Sequence, residues 1–126
     1  MPKATDANHR SKLILMDERP EGWNRTYSGQ HWSKRKAEAD RVHLTIRAAI
    51  DLDTAKLYTV PVHIIITVYF STRPLDPDNI NAKHYIDGLK GLLLQDDTRK
   101  WVASVTTESH IDKARPRVEI EMIPLF

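Results

Sequence analysis

Apolar positions along the chain change period several times, and each change marks an element. Lys12 to Met16 is a short apolar run closed by Asp17-Glu18-Arg19-Pro20, which predicts a first strand and a following loop. From Ser33, a candidate N-cap, Ala39, Val42, Ile46, Ala49 and Ile50 recur at helical spacing, with Lys36, Asp40, His43 and Arg47 on the opposite stripe. Pro61 to Phe70 is dense in β-branched and aromatic residues and predicts a strand central to its sheet. Asp78 is placed to cap a helix over Asn79 to about Leu93, with Ile80, Tyr85, Ile86, Leu89, Leu92 and Leu93 on its apolar side. Trp101 to Ser109 and Arg117 to Ile123 then read as two strands joined in a hairpin. The order β-α-β-α-β-β implies a mixed α/β fold, a small mixed sheet with two main helices. Residues 1–10 read as a flexible polar tail and 11–126 as one domain, the size expected for 126 residues.

Composition removes whole classes of chemistry. With no cysteine, the chain has no disulfide, thiolate metal site or cysteine nucleophile. The glycines at 22, 29, 88 and 91 fit neither the phosphate-binding loop nor the dinucleotide turn, so no nucleotide cofactor is expected. No apolar stretch approaches the roughly 20 residues of a membrane span, and a cytosolic protein without a membrane partner is expected. Charge is uneven: residues 1–50 carry ten Lys/Arg against six Asp/Glu, and residues 51–126 carry nine against eleven. A basic half beside an acidic centre permits a phosphate-binding surface, and a merely solvated face accounts for it as well.

The acidic centre lies within Ser71–Lys100. Asp76-Pro77-Asp78 sets two carboxylates at a helix entrance, Lys83 and Asp87 share a face at i,i+4, and Asp96-Asp97 closes the segment. Aspartates at 76, 78 and 97 with a lysine between them offer hard oxygen ligands for Mg²⁺ or Mn²⁺ and a cation for phosphate, a set suited to metal-dependent phosphodiester hydrolysis. A helix of about 14 residues would hold Asp78 and Asp97 roughly 20 Å apart. Either the chain folds back along the helix or a partner subunit completes the site. Helix capping is the competing explanation for Asp78. Six histidines contain no His-x-x-x-His pair and read as ordinary surface or satisfied residues, with His84 beside Lys83 the nearest to the acidic centre. Trp23 and Trp32 border a basic loop, where packing competes with stacking on bases, and Trp101 is expected to pack in the sheet.

The run Asp76-Pro77-Asp78-Asn79, then Lys83, Asp87-Gly88-Leu89 and Asp96-Asp97, resembles the RusA-type Holliday-junction resolvases. Asn24 to Arg35 is similar to that family's early loop and basic helix entry. Lys83 follows Asp78 by five positions, one more than in the best-known member. The resemblance implies a small mixed α/β homodimer of bacterial or phage origin, a Mg²⁺-dependent endonuclease that cuts four-way and other branched DNA. It implies Asp76, Asp78 and Asp97 as metal-binding catalytic carboxylates, with Asp96 in place of Asp97 or Asp87 as further candidates, and Lys83 as the essential cation. Arg25, Lys34, Arg35, Lys36 and Arg73 would contact the DNA backbone. The alternative is a branched-DNA-binding protein of the same fold that does not cut.

Overall fold

A computed structural model describes residues 9–22 and 32–125. Its elements are strand β1 (Ser11–Met16), helix α1 (Trp32–Ala49), strand β2 (Val62–Phe70), a 3-10 turn (Pro77–Asn79), helix α2 (Lys83–Leu89), and strands β3 (Val102–Ile111) and β4 (Arg117–Pro124). The fold is α+β: a mixed sheet of four strands in the order β1-β4-β2-β3, with both helices contributing to the core on one face. β2 runs parallel to β3 and antiparallel to β4, and β4 is antiparallel to β1.

The two inner strands are those with unbroken alternation. Val62, Ile64, Ile66, Val68 and Phe70 of β2 and Val118, Ile120 and Met122 of β4 are all buried, and they meet Val42 and Ile46 of α1 and Tyr85 and Leu89 of α2 in one core. Burial on that scale holds the layers together at about 25 cal/mol per Å² of apolar surface.

The expected hairpin between the last two strands does not form, because β4 pairs with β1 and β2 while β3 lies on the far side of β2. Burial explains the order. β4 alternates apolar and polar residues along its whole length and can be covered on one face, so it belongs inside the sheet. β3 is polar over Ser104 and Thr106–His110 and mostly exposed, which suits an edge. The five residues from Asp112 to Pro116 carry the chain past the end of β2, where the Asp112 N–H donates to the Phe70 carbonyl at 2.9 Å.

Helix boundaries also differ from expectation. Ser33 lies inside α1, and Ala49 is exposed. Trp32 is 63% exposed rather than packed. Trp101 precedes β3, half-buried, with the Lys100 ammonium 5.2 Å from its ring centre. The second helix has seven residues, not the span from Asn79 to Leu93, and its N-cap is Ala82 rather than Asp78. Pro77 confines Asp76 to φ −65°, ψ 151°, and Ile80 is extended as well, so no continuous helix crosses this stretch. The Asn81 carboxamide oxygen instead accepts the Lys83 N–H at 3.2 Å and starts the helix.

At the N-terminus, the Tyr58 hydroxyl donates to the His9 carbonyl at 2.8 Å and Arg10 pairs with Glu121, so both residues are held against the sheet. Trp23, Arg25 and His31 lie outside the described residues. Among the described residues no helix is long and apolar enough to cross a membrane.

Candidate active site

The turn that carries Asp76 and Asp78 is clamped from several sides. Arg19 stacks over the Phe70 ring at 4.7 Å and donates to the carbonyls of Thr72 and Arg73 at 3.1 and 3.0 Å, bracing a bend where Arg73 takes φ +48°. Ser109 and Thr107 of β3 donate through their hydroxyls to the carbonyls of Leu75 and Pro77 at 2.6 and 2.7 Å. On the other side, Ile80 bridges to Gly22.

Both carboxylates are exposed on this turn. Asp76 stands at the start of the 3-10 turn without making a side-chain cap, and α2 begins beyond Asp78. Helix capping therefore accounts for neither.

The far end of the segment returns to α2. Seven residues at 1.5 Å each make a helix only about 10 Å long. Its end is tightened by Leu92, Leu93 and Leu94, whose N–H groups all donate to the Leu89 carbonyl. Gly91 takes φ +79°, a left-handed conformation that costs other residues about 1 kcal/mol or more. The chain doubles back, and Asp97 lines a cleft of about 310 Å³ with Ala82, Lys83, Ile86, Asp87 and Val105. The chain folds back far enough to bring Asp97 to Lys83 and Asp87, while Asp76 and Asp78 do not line that cleft.

Within the cleft Lys83 Nζ lies 3.5 Å from Asp87; Lys90, which does not line it, has its Nζ 3.7 Å from Asp97 and 4.0 Å from Asp96. Asp96 and Asp97 differ in role. The Asp96 carboxylate is 51% exposed and accepts the Asp97 N–H at 2.8 Å, serving its own loop, whereas the Asp97 carboxylate is 30% exposed and lines the cleft.

β3 connects this cleft to the aspartate turn. Val105, in the cleft wall, and Thr107, which holds Pro77, are two positions apart on one strand and share a face, a separation of about 7 Å. Hard carboxylate oxygens from Asp76, Asp78 and Asp97 are donors of the type Mg²⁺ takes. Among the described residues, however, no three His, Cys, Asp or Glu side chains are placed together to hold one metal ion.

No known family model and no curated protein matches this chain.

Of the residues expected to meet DNA, Lys34 and Lys36 are exposed and Arg35 half-buried in the first turns of α1, with Lys36 paired to Asp40 at 2.9 Å. Arg73 is exposed three residues before Asp76. Sequence reading missed the polar cluster behind the site. Glu18, 5% exposed, accepts two hydrogen bonds from Arg41 at 2.8 and 2.9 Å and one from the Tyr85 hydroxyl at 2.8 Å, joining the end of β1 to both helices. Burial and the adjacent carboxylate push the Tyr85 phenol well above its usual value. No local pattern marks Glu18 as buried, since it stands in a charged run.

The histidines at the helix seam depart from the surface reading. His84 is 9% exposed, and the Nε2 atoms of both His84 and His43 are buried without a hydrogen-bond partner. Burial lowers the His84 pKa below the ordinary 6.5, with His43 adding to the shift and the carboxylates of Glu38, Asp87 and Glu21 opposing it. The unfolded chain therefore binds the proton more tightly. The neutral ring's contribution to stability is complete above pH 6.5 and is lost as pH falls through the lowered folded value.

Urea midpoints measured from pH 7.5 downward should begin to fall near pH 6.5, and His84→Asn should flatten that first phase. A second loss belongs below pH 4.5, where Glu119 and Asp112, held below the usual carboxylate range by hydrogen bonds from Arg117, take up protons. A wild-type curve flat from pH 7.5 to 5 would contradict the His84 assignment.

Proposed function

We propose that this protein is a metal-dependent endonuclease that cuts four-way DNA junctions by paired phosphodiester hydrolysis, acting as a homodimer in the cytosol of a bacterial or phage-infected cell. The observation that carries this reading is the return of the chain after α2. It puts Asp97 in one cleft with Lys83 and Asp87, beside the strand that anchors the Asp76–Asp78 turn. The order of acidic and basic residues supports it too, through the resemblance to RusA-type resolvases.

Asp76, Asp78 and Asp97 would hold Mg²⁺, with Mn²⁺ as a substitute. When bound, the ion supplies a Lewis acid for the phosphate and lowers the pKa of a water. The chain's own groups do the rest. Lys83, half-exposed in the cleft, presents an ammonium to the charge that develops on the phosphoryl oxygens. The clamped turn keeps Asp76 and Asp78 from swinging with the loop. Lys34, Arg35, Lys36, Arg73 and Arg25 offer cations to the DNA backbone, so affinity falls as salt rises. Two sites related by a two-fold axis match a junction that is nicked twice.

A second reading is a protein of this fold that binds branched DNA without cutting it. It is favoured by the absence, among the described residues, of three acidic side chains placed to share one ion.

The test incubates the protein and its Asp78→Asn variant with labelled four-way junction, linear duplex and flap DNA, with and without Mg²⁺, and resolves the products on a denaturing gel. Paired nicks in the junction that need both metal and Asp78 are expected. Junction binding without cleavage in Mg²⁺ or Mn²⁺ leaves the second reading, and neither binding nor cleavage removes both.

A further inference from the structure

The carboxylates of the proposed site do not start on equal terms. Asp76 and Asp78 are exposed and form no ion pair with a described residue. Asp97 does form one: Lys90 Nζ lies 3.7 Å from its Oδ2, and among the described residues Lys90 is the one cation within 4.0 Å of that carboxylate. Lys83 lines the same cleft but faces Asp87, at 3.5 Å.

The backbone builds the Lys90 pairing. Lys90 ends α2 in an extended conformation, φ −63° and ψ 131°, while its N–H still donates to the Asp87 carbonyl at 3.3 Å. It then bridges to Leu94, and the Gly91 N–H donates to the Leu94 carbonyl at 2.7 Å. This loop returns the chain beside its own start, so Asp96 and Asp97 meet the Lys90 side chain. Asp96, fixed by the Asp97 N–H at 2.8 Å, holds the ammonium from the other side at 4.0 Å. An ammonium beside a carboxylate opposes a second cation on it, and between exposed groups that opposition is worth several-fold in affinity and fades with salt.

We propose that Lys90 competes with the divalent ion for Asp97 and so sets the metal concentration at which the site assembles. The inference rests on the metal-dependent reading above and adds its regulation. Asp76 and Asp78 stand open to a hard cation, whereas Asp97 joins them only as Lys90 yields it. The same pairing accounts for the separation of the acidic side chains, no three of which are placed together among the described residues. Lys90 is thus a positioning residue that acts through Asp97.

Mn²⁺ binding to the full-length protein without DNA, followed by the electron paramagnetic resonance of the free ion in about 50 mM salt, tests it. Lys90→Gln is expected to bind about five-fold more tightly than wild type, and Lys90→Arg, which keeps the charge, as wild type does. The gain should vanish in the Asp97→Asn background, where no carboxylate remains to be released, and should shrink in about 500 mM salt. Junction cleavage by Lys90→Gln should reach half its maximum at a several-fold lower Mg²⁺ concentration. Without metal the variants should melt together, since the Lys90 side chain is 41% exposed.

Equal affinity in wild type and Lys90→Gln, or a gain that persists without Asp97, overturns the competition and leaves the proposed function standing. Weaker binding in Lys90→Gln overturns it as well, because the lysine would then aid the metal by holding Asp97 in place. If neither wild type nor Lys90→Gln binds Mn²⁺, the metal-dependent reading falls together with this one.

Discussion

Replacing Asp97 by Asn is expected to lower junction cleavage by at least about 10²-fold, the scale on which loss of one electrostatic group at a reacting centre is felt. Asp96→Asn should leave the rate close to wild type. The two aspartates are adjacent in sequence and both approach Lys90, at 3.7 and 4.0 Å, yet they face different surroundings. Asp97 lines the cleft with Lys83, while Asp96 accepts the N–H of Asp97 and is spent on the turn. Asparagine keeps the shape and removes the charge, so the comparison isolates the carboxylate. Stability does not confound it. Lys90 and Asp97 are 41% and 30% exposed, and ion pairs of that kind contribute less than about 1 kcal/mol. Single-turnover cleavage rates with matched melting temperatures decide the matter, and equal losses in the two variants would refute the assignment of Asp97.

The largest expected effect on stability comes from a residue remote from the proposed chemistry. Glu18→Ala should cost about 2–3 kcal/mol, measured by urea unfolding at pH 7. Glu18 is buried and accepts three hydrogen bonds, two from Arg41 and one from Tyr85. Its removal leaves the Tyr85 hydroxyl unpaired in the core, where Tyr85 is 1% exposed, and opens a void beside it. Arg41 loses less, because it keeps Glu38 at 2.8 Å and its side chain is 45% exposed. Tyr85 lies on the same short helix as Lys83 and Asp87, so loosening it should also disturb the cleft. By contrast Asp40→Ala, which removes the exposed partner of Lys36, should change stability by less than about 1 kcal/mol. A Glu18→Ala protein as stable as wild type would show that the buried charge contributes nothing net.

Local pattern predicted the elements that depend on local pattern. β2 and β4 alternate strictly between apolar and polar or half-buried positions, and both were legible as strands within a residue or two. Val42 and Ile46 of α1, with Ile50 just past its end, bury the face that their spacing predicts. The extended backbone at Asp76 follows from Pro77 alone. The candidate residues themselves, from Asp76 to Asp97, were legible as an ordered series of acidic and basic side chains.

Pairing and distance were not legible. Two consecutive strands most often form a hairpin, but β4 had an apolar face to bury and β3 had little, so β4 entered the sheet and β3 took its edge. The apolar series from Ile80 to Leu93 fits one long helix, yet Asn81 starts the helix late and Gly91 turns the chain back. That difference decides whether Asp97 lies far from Lys83 or in the same cleft.

The sequence by itself therefore determined the α+β class, the order of the elements and the series of acidic and basic side chains from Asp76 to Asp97, because each depends on side-chain type and short-range period. Only the tertiary structure decided the strand order, the burial of Glu18, the unpartnered ring nitrogens of His43 and His84, and the meeting of Asp97 with Lys83 and Asp87. Those features come from competition among distant segments for one core, and no window of sequence contains both competitors.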